Sequence, residues 1–248
     1  MDKCMMFYHS VNDDVFLTSV NTFRNVSNAS LIVYTDNVPI GLQVQWADEY
    51  NIEWHCLKPE DVKDQRCYRK MKCVNDCISE MEDGDRLLVS DADVYFLEDP
   101  FSAFDKCEFD IGLTRRLHSY KFPINSGLFF VNVNPRTRKV FKDSFEIYAE
   151  KNPEIKDWFV DQSFLCQLYR KDGLAKIADV GWEYNFCPNT DVFGVKLAAD
   201  MIKRAYESRS VKVLHLKSEL KMCIYDGFLK DAVTKYANGG WNWMKEGK

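Results

Sequence analysis

Arg86-Leu87-Leu88-Val89-Ser90-Asp91-Ala92-Asp93-Val94-Tyr95-Phe96-Leu97 is the stretch on which the reading of this chain turns. An apolar run of strand character delivers two carboxylates, one residue apart, at its carboxyl end. In extended backbone the side chains of residues i and i+2 leave the same face. Two carboxylates facing together in a partly buried cleft repel, and one pKa is driven up. A divalent cation removes that conflict, and carboxylate oxygens suit Mg²⁺ or Mn²⁺. In a chain with 38 acidic residues, Asp-x-Asp is ordinarily a turn or a solvated loop. Here apolar runs flank the pair on both sides, which a solvated loop would not require.

The chain around this stretch alternates. Strand-like runs occur at Cys4–Tyr8, Leu31–Tyr34, Ile52–Leu57, Arg86–Val89, Ile111–Thr114, Gly127–Val133, Ala175–Asp179 and Val211–Leu216, with helical periodicity between many of them. The clearest helix is expected from about Val62 to Met81, where Cys67, Met71, Val74, Ile78 and Met81 form one apolar stripe. Asp83-Gly84 would end it. Further helices are expected around Phe141, Phe145 and Tyr148, around Leu197, Met201, Ile202 and Ala205, and after Asp226 as N-cap. Alternating strands and helices predict an α/β fold, a mostly parallel central sheet with helices on both faces. Ligands of such sheets bind at the carboxyl ends of the strands. No repeat, low-complexity stretch or linker interrupts the 248 residues, a length that fits one large domain.

Composition narrows the function classes. A net charge of −5 without a basic stripe argues against nucleic-acid binding, which depends on neutralising phosphates. No segment approaches the ~18 apolar residues of a membrane span. Nine cysteines are scattered without a C-x-x-C pair, so a zinc knuckle has no support. Most lie in apolar runs, where a free Cys acts as a small hydrophobe. The strand-like start lacks the features of a signal peptide. Together these lead to the expectation of a reduced, cytoplasmic protein, against which two overlapping sequons at Asn25 and Asn28 weigh little.

The D-x-D stretch, read on through Asp99-Pro100-Phe101, resembles that of GT-A-fold glycosyltransferases, especially the glycogenin-like and galactosyltransferase-like families. Three further stretches match in order. Asn125-Ser126-Gly127-Leu128-Phe129-Phe130-Val131 resembles their N-S-G strand, Asp161-Gln162-Ser163-Phe164-Leu165 their D-Q motif, and His215-Leu216-Lys217-Ser218-Glu219-Leu220-Lys221 their late H-x-x-G-x-x-K motif. Each is weak alone; four in order, from about residue 4 to 221, are strong. The resemblance implies a Rossmann-like GT-A domain over 1–248, with its nucleotide-binding part at about 1–100 and its sugar and acceptor part at about 101–248. It implies a nucleotide-diphospho-sugar donor, with UDP favoured, a glycan or other hydroxyl acceptor, and Mn²⁺ or Mg²⁺ as cofactor.

Residue roles follow from the same resemblance. Asp93 and His215 are expected as direct metal ligands, and Asp91 as a ligand of the metal, the ribose or both. Imidazole with two carboxylates suits Mn²⁺. Lys221 is expected to stabilise the leaving diphosphate, since cations there lower the barrier. Ser218 stands where the late motif usually has Gly, so Lys217 is the alternative. Asn125, Ser126, Asp161 and Gln162 would face the sugar and acceptor, although Asp161 could instead be only a helix N-cap. Arg69 and Lys72 on the long helix would approach the nucleotide, or be a solvated face. Tyr8, His9, Ser10, Thr35 and Asp36 end the first two strands, where base and ribose are expected. Trp241 and Trp243 read as packing of a terminal tail.

Two rivals stand beside this reading. A haloacid-dehalogenase-type phosphatase also places an Asp-x-Asp after an apolar strand. That motif normally lies near the N-terminus and carries Thr or Val two residues after the second Asp, where this chain has Tyr95. A non-catalytic nucleotide-sugar-binding module would keep the fold and lose turnover, but the expected site positions are all occupied by competent side chains.

Overall fold

The computed structural model describes residues 1–8, 13–35, 40–57, 66–116, 122–151, 159–170, 173–188, 190–217 and 220. His9, Ser10, Asp36, Lys221, the helix expected after Asp226 and the Trp241/Trp243 pair lie outside them.

The central sheet is built from β1 (Asp2–Tyr8), β2 (Ser30–Thr35), β3 (Ile52–Cys56), β4 (Arg86–Asp91), β6 (Ile111–Leu113), β7 (Leu128–Asn132) and β8 (Ile177–Asp179), in the order β3-β2-β1-β4-β7-β6-β8. β3, β2, β1 and β4 are mutually parallel, β7 is antiparallel to both neighbours, and β6 and β8 are again parallel. A second, two-stranded sheet pairs β5 (Val94–Phe96) with β9 (Val213–His215).

The period of two along each strand sorts the core onto two faces. Met5, Phe7, Leu87, Val89, Phe129 and Val131 pack under α3 (Arg66–Ser79) and α6 (Val160–Arg170), together with the segment comprising α4 (Pro135–Lys139), a π turn at Val140–Ser144 and α5 (Phe145–Lys151). Cys4, Met6, Leu88, Leu128 and Phe130 face the other way, toward Phe16, Val20 and Phe23 of α1 (Asp13–Val26) and Trp46 of α2 (Ile40–Tyr50). Phe129 and Phe130, adjacent on β7, are both fully buried on opposite faces. Each such side chain contributes about 1.5–3 kcal/mol of burial. Helices cover both faces, as an alternating α/β sequence requires.

Of the expected stripe, Met71, Val74 and Ile78 are buried on α3, Cys67 is only partly buried, and Met81 is buried just beyond the helix, which stops at Ser79. Gly84, in the turn that leads to β4, holds φ at +93°, which costs a glycine little. The α7 helix (Thr190–Glu207) departs from expectation at Leu197, which is half exposed. Gly194 breaks the helix with φ +70° and ψ 157°; beyond that kink Ile202 and Ala205 are buried as expected, together with Ala198 and Ala199, while Met201 is only partly buried.

Strand order reverses between β1 and β4, since β1 leads outward to β2 and β3 while β4 leads to β7. A crevice opens at the carboxyl ends of the strands at such a switch point. β4 ends there on Asp91, paired in register with Phe7.

Candidate active site at the carboxyl end of β4

Asp91 closes β4, the chain bends through Ala92 and Asp93, and β5 begins at Val94. The two carboxylates are thus brought together across a bend, with Ala92 buried beneath it, rather than by alternation along an extended strand. β5 then pairs with β9 so that Val94 lies opposite His215, and Leu216 N–H donates to the Asp93 carbonyl at 3.3 Å. This small sheet carries a histidine from the far end of the sequence to the Asp-x-Asp pair. Its imidazole Nε2 lies 3.2 Å from Asp93 Oδ1 and 3.7 Å from Asp91 Oδ2. One ligand atom from each of Asp91, Asp93 and His215 falls within 4.8 Å of the others.

The tautomer of His215 follows from its neighbours. Asn185 Nδ2 faces the Asn125 and Leu128 carbonyl oxygens at 3.4 and 3.3 Å, and Thr114 Oγ1 at 2.9 Å. Carbonyls only accept, so the Asn185 oxygen must be the atom turned to His215 Nδ1, at 3.1 Å. Nδ1 then carries the proton and donates it, leaving Nε2 with a bare lone pair. That atom is buried, has no hydrogen-bond partner among the described residues, and points toward the two carboxylates. A ring nitrogen oriented from behind and bare toward two carboxylates is what a metal ligand requires. One imidazole and two carboxylates form a donor set for a divalent cation.

Burial, followed by the Lys217 charge, pulls the His215 pKa below its ordinary value despite the nearby carboxylates. The imidazole is therefore neutral at neutral pH and available as a ligand. Its proton is bound less readily in the folded chain than in the unfolded one. Stability from this group is present above about pH 6.5 and is lost as pH falls through the lower folded pKa. Denaturant unfolding without metal is expected to show a loss from pH 7 to pH 5 that is smaller in His215→Gln. An equal loss in both would remove His215 as its source.

Burial works against the Asp91 carboxylate, yet Lys70, with help from His215 and Lys217, holds it below the usual carboxylate range even beside Asp93. Lys70 is 3% exposed and projects from α3 into the crevice. Its ammonium donates to Asp91 Oδ1 at 2.6 Å and to the Ser126 carbonyl at 2.7 Å, and stands 3.9 Å from Asp161 Oδ2. Burial disfavours its charge, but Asp91 and Asp161 keep its pKa above the ordinary lysine value.

Arg69 and Lys72, the helix cations expected at the nucleotide, line a small recess with Leu57 and Asp76; it is Lys70, between them, that reaches Asp91. Its signal was present in the sequence. Lys70 lies four residues before Val74 and seven before Cys77, on the buried side of the helix, where an unpaired lysine would be costly. Asn185, whose pattern gave no motif, was invisible for the opposite reason: only tertiary contact brings it behind His215.

Asn125 Oδ1 accepts from Gly127 N–H at 3.0 Å, and its amide lies 3.4 Å from both Asn185 Oδ1 and His215 Nδ1. Ser126 is buried and offers its carbonyl to Lys70. Asp161 sits inside the first turn of α6, one residue past its start, and turns Oδ1 back to Gln162 N–H at 2.7 Å. Gln162 is buried and accepts from Arg116. Tyr8 and Thr35 end β1 and β2 with 3% and 1% exposure, the Tyr8 ring stacked on Phe16 at 4.3 Å, so they form floor rather than wall. Burial pushes the Cys187 thiol up, while Lys217 and Arg116 pull against it and Asp93 reinforces it.

The family model described as nucleotide-diphospho-sugar transferase matches residues 65–221, which include all of these residues except Tyr8, Phe16, Thr35 and Leu57. Among solved structures, the glycosyltransferase GlyE of Streptococcus pneumoniae is similar at 16% identity and TM-score 0.64, over 100% of this chain and 65% of that one. The chain thus spans slightly less than two thirds of GlyE. The galactosyltransferase LgtC, in complex with donor and acceptor sugar analogs, is similar at 15% identity and TM-score 0.60, over 96% of this chain and 95% of LgtC. Mouse xyloside xylosyltransferase 1 is similar at 12% identity and TM-score 0.56, over 89% and 99%. No curated protein sequence is a significant match.

Proposed function

This chain belongs to the nucleotide-diphospho-sugar transferase family, with the GT-A glycosyltransferase fold, and on that premise we propose that it moves a sugar from a nucleotide-diphosphate donor, UDP-linked in the first instance, to a hydroxyl of a glycan or other acceptor with the help of Mn²⁺ or Mg²⁺. Family membership sets aside the phosphatase reading of the Asp-x-Asp pair. The observation that carries the proposal is the bare, buried Nε2 of His215 aimed at Asp91 and Asp93.

A cation held by Asp91, Asp93 and His215 would act as a Lewis acid toward the leaving diphosphate. The chain's own groups divide the remaining work. Asn185 holds the imidazole in the ligating tautomer, and Asn125 donates to the same Asn185 oxygen. Lys70 stands between Asp91 and Asp161, so its fixed positive charge lies between the diphosphate end and the D-Q end of the crevice. There it would meet negative charge as the glycosidic bond breaks, without reorganising. Lys217, whose charge is felt by both Asp91 and His215, is the described candidate for holding the diphosphate; Lys221 is the other. Asp161 and Gln162 would border the sugar, and Tyr8 and Thr35 would underlie the nucleotide, with His9, Ser10 and Asp36 beyond them.

Calorimetric titration of UDP, GDP and their sugar conjugates, with and without Mn²⁺, tests the proposal. One nucleotide is expected to bind at micromolar affinity only with metal. Asp93→Asn, which leaves His215 Nε2 facing one carboxylate, is expected to weaken that binding by at least about 100-fold, in line with the loss of a charge-assisted contact. Equal nucleotide affinity in Asp93→Asn and wild type would refute the metal site. Donor binding without transfer across a broad acceptor panel would support the non-catalytic module.

A further inference from the structure

We propose that Arg116 is a positioning residue for Gln162, holding its carboxamide so that the NH₂ group, and not the oxygen, faces the donor sugar. The inference rests on the donor-site reading above.

The orientation has one chemical solution. Arg116 Nη2 lies 2.6 Å from the Gln162 side-chain oxygen. A guanidinium carries donors only, so the carboxamide atom turned to it has to be the oxygen. The NH₂ group is then directed away from Arg116. Gln162 is 3% exposed, and its Nε2 is buried without a partner among the described residues. The Nε of Arg116 is in the same condition. Buried N–H donors are almost always satisfied in folded proteins, and a specific orphan calls for an explanation. The Gln162 orphan, held by Arg116 beside the D-Q carboxylate that faces Lys70, points to an oxygen-bearing ligand that accepts from the Gln162 NH₂ group.

Arg116 is well anchored for this task. Its own N–H donates to the Pro123 carbonyl at 2.8 Å, Arg115 bridges to Ile124, and Asn125 N–H donates to the Thr114 carbonyl at 3.1 Å. The same short ladder thus fixes Arg116 at one end and, through Asn125, the support of His215 at the other. An oxygen already bound to a cation has its lone-pair density drawn toward that cation. It is poorly placed to stabilise positive charge developing on a sugar carbon. The amide NH₂, polarised by the same contact, is the better donor to a sugar oxygen. Gln162 therefore serves as a hydrogen-bond donor to the sugar, and Arg116 determines that it does.

The test separates the sugar from the nucleotide. Wild type, Arg116→Met, Arg116→Lys, Gln162→Met, Gln162→Glu and the double Met variant are titrated with UDP and with a panel of UDP-hexoses and UDP-pentoses, all with Mn²⁺. UDP affinity is expected to stay within about twofold throughout. The added affinity of the preferred UDP-sugar over UDP is expected to fall about tenfold in Arg116→Met and in both Gln162 variants, the scale of one lost buried hydrogen bond. The double variant should lose no more than either single, and Arg116→Lys, which still offers a donor to the oxygen, should recover part of the loss. A wild-type sugar increment in Arg116→Met, additive losses in the double variant, or a large fall in UDP affinity in Arg116→Met would each overturn the inference. So would a panel in which no UDP-sugar binds better than UDP. If UDP itself fails to bind wild type with Mn²⁺, the donor-site reading falls and takes this inference with it.

Discussion

Gly127→Ala is expected to remove metal binding at the Asp91–Asp93–His215 cluster, weakening Mn²⁺ at least about 100-fold. A Cβ at position 127 would lie 1.8 Å from His215 Cε1, 2.4 Å from its Nδ1 and 2.9 Å from Asp91 Oδ2. His215 is fully buried, and its ring is held from behind by Asn185, so it has no free volume to retreat into. The backbone at 127 is equally constrained, because Gly127 N–H is bonded to Asn125 and its carbonyl accepts from Asp91 N–H at 2.7 Å. A methyl group inserted there must displace the ligand, and overpacking of this kind costs about 1–3 kcal/mol of stability as well. Second-sphere changes alone typically cost 10- to 100-fold in metal affinity, and this one moves a ligand. Titration of Mn²⁺, or of Mn²⁺ with UDP, checks the prediction. Wild-type affinity in a folded Gly127→Ala protein would show that His215 is not a ligand.

Lys70→Met carries the second large effect, and its signature is a stability defect that metal repairs. In the metal-free protein Lys70 is the cation between Asp91 and Asp161, itself almost wholly enclosed. Removing one partner of a buried ion pair costs about 3–5 kcal/mol, because the remaining charges are left buried and uncompensated. For a domain of this size that corresponds to a fall in melting temperature of about 6–20 °C. Asp91 would then repel Asp93 with no cation between them, and its carboxyl pKa would rise. Added Mn²⁺ supplies the missing positive charge at Asp91. The melting temperature of Lys70→Met is therefore expected to rise more on Mn²⁺ addition than that of wild type. Equal metal-induced shifts, or no initial loss of stability, would contradict the pairing. The UDP-sugar should bind more weakly to Lys70→Met than to wild type even at saturating metal, since the fixed cation of the crevice is gone.

These two residues show where sequence reading succeeded and where it stopped. Gly127 lies in the N-S-G stretch that was singled out, but its reason for being glycine, the approach of a histidine 88 residues away in sequence, was not legible. That Lys70 lies on the apolar side of its helix is legible in the sequence, but that it meets Asp91 depends on what packs against the helix. Arg116 and Asn185 belong to no periodic pattern. Their importance lies in which atoms of Gln162 and His215 they face, and local sequence carries no record of that.

The alternation of the sheet was determined by the chain itself, since burial on both faces imposes apolar strands separated by helical stripes. The position of the candidate site was also legible there: Asp91 ends an apolar strand, and α/β sheets open at the carboxyl ends of their strands. Tertiary structure alone decided the rest. Pairing of β5 with β9 set His215 against Asp93, and a bend rather than strand alternation turned Asp91 toward it. Packing of α3 on the sheet drew Lys70 into the crevice, and a hydrogen-bond network set the tautomer of His215 and the orientation of Gln162. The physical reason is common to all four. Periodicity reports which side of an element is buried, whereas the direction of a lone pair or an N–H is set by the partner it meets.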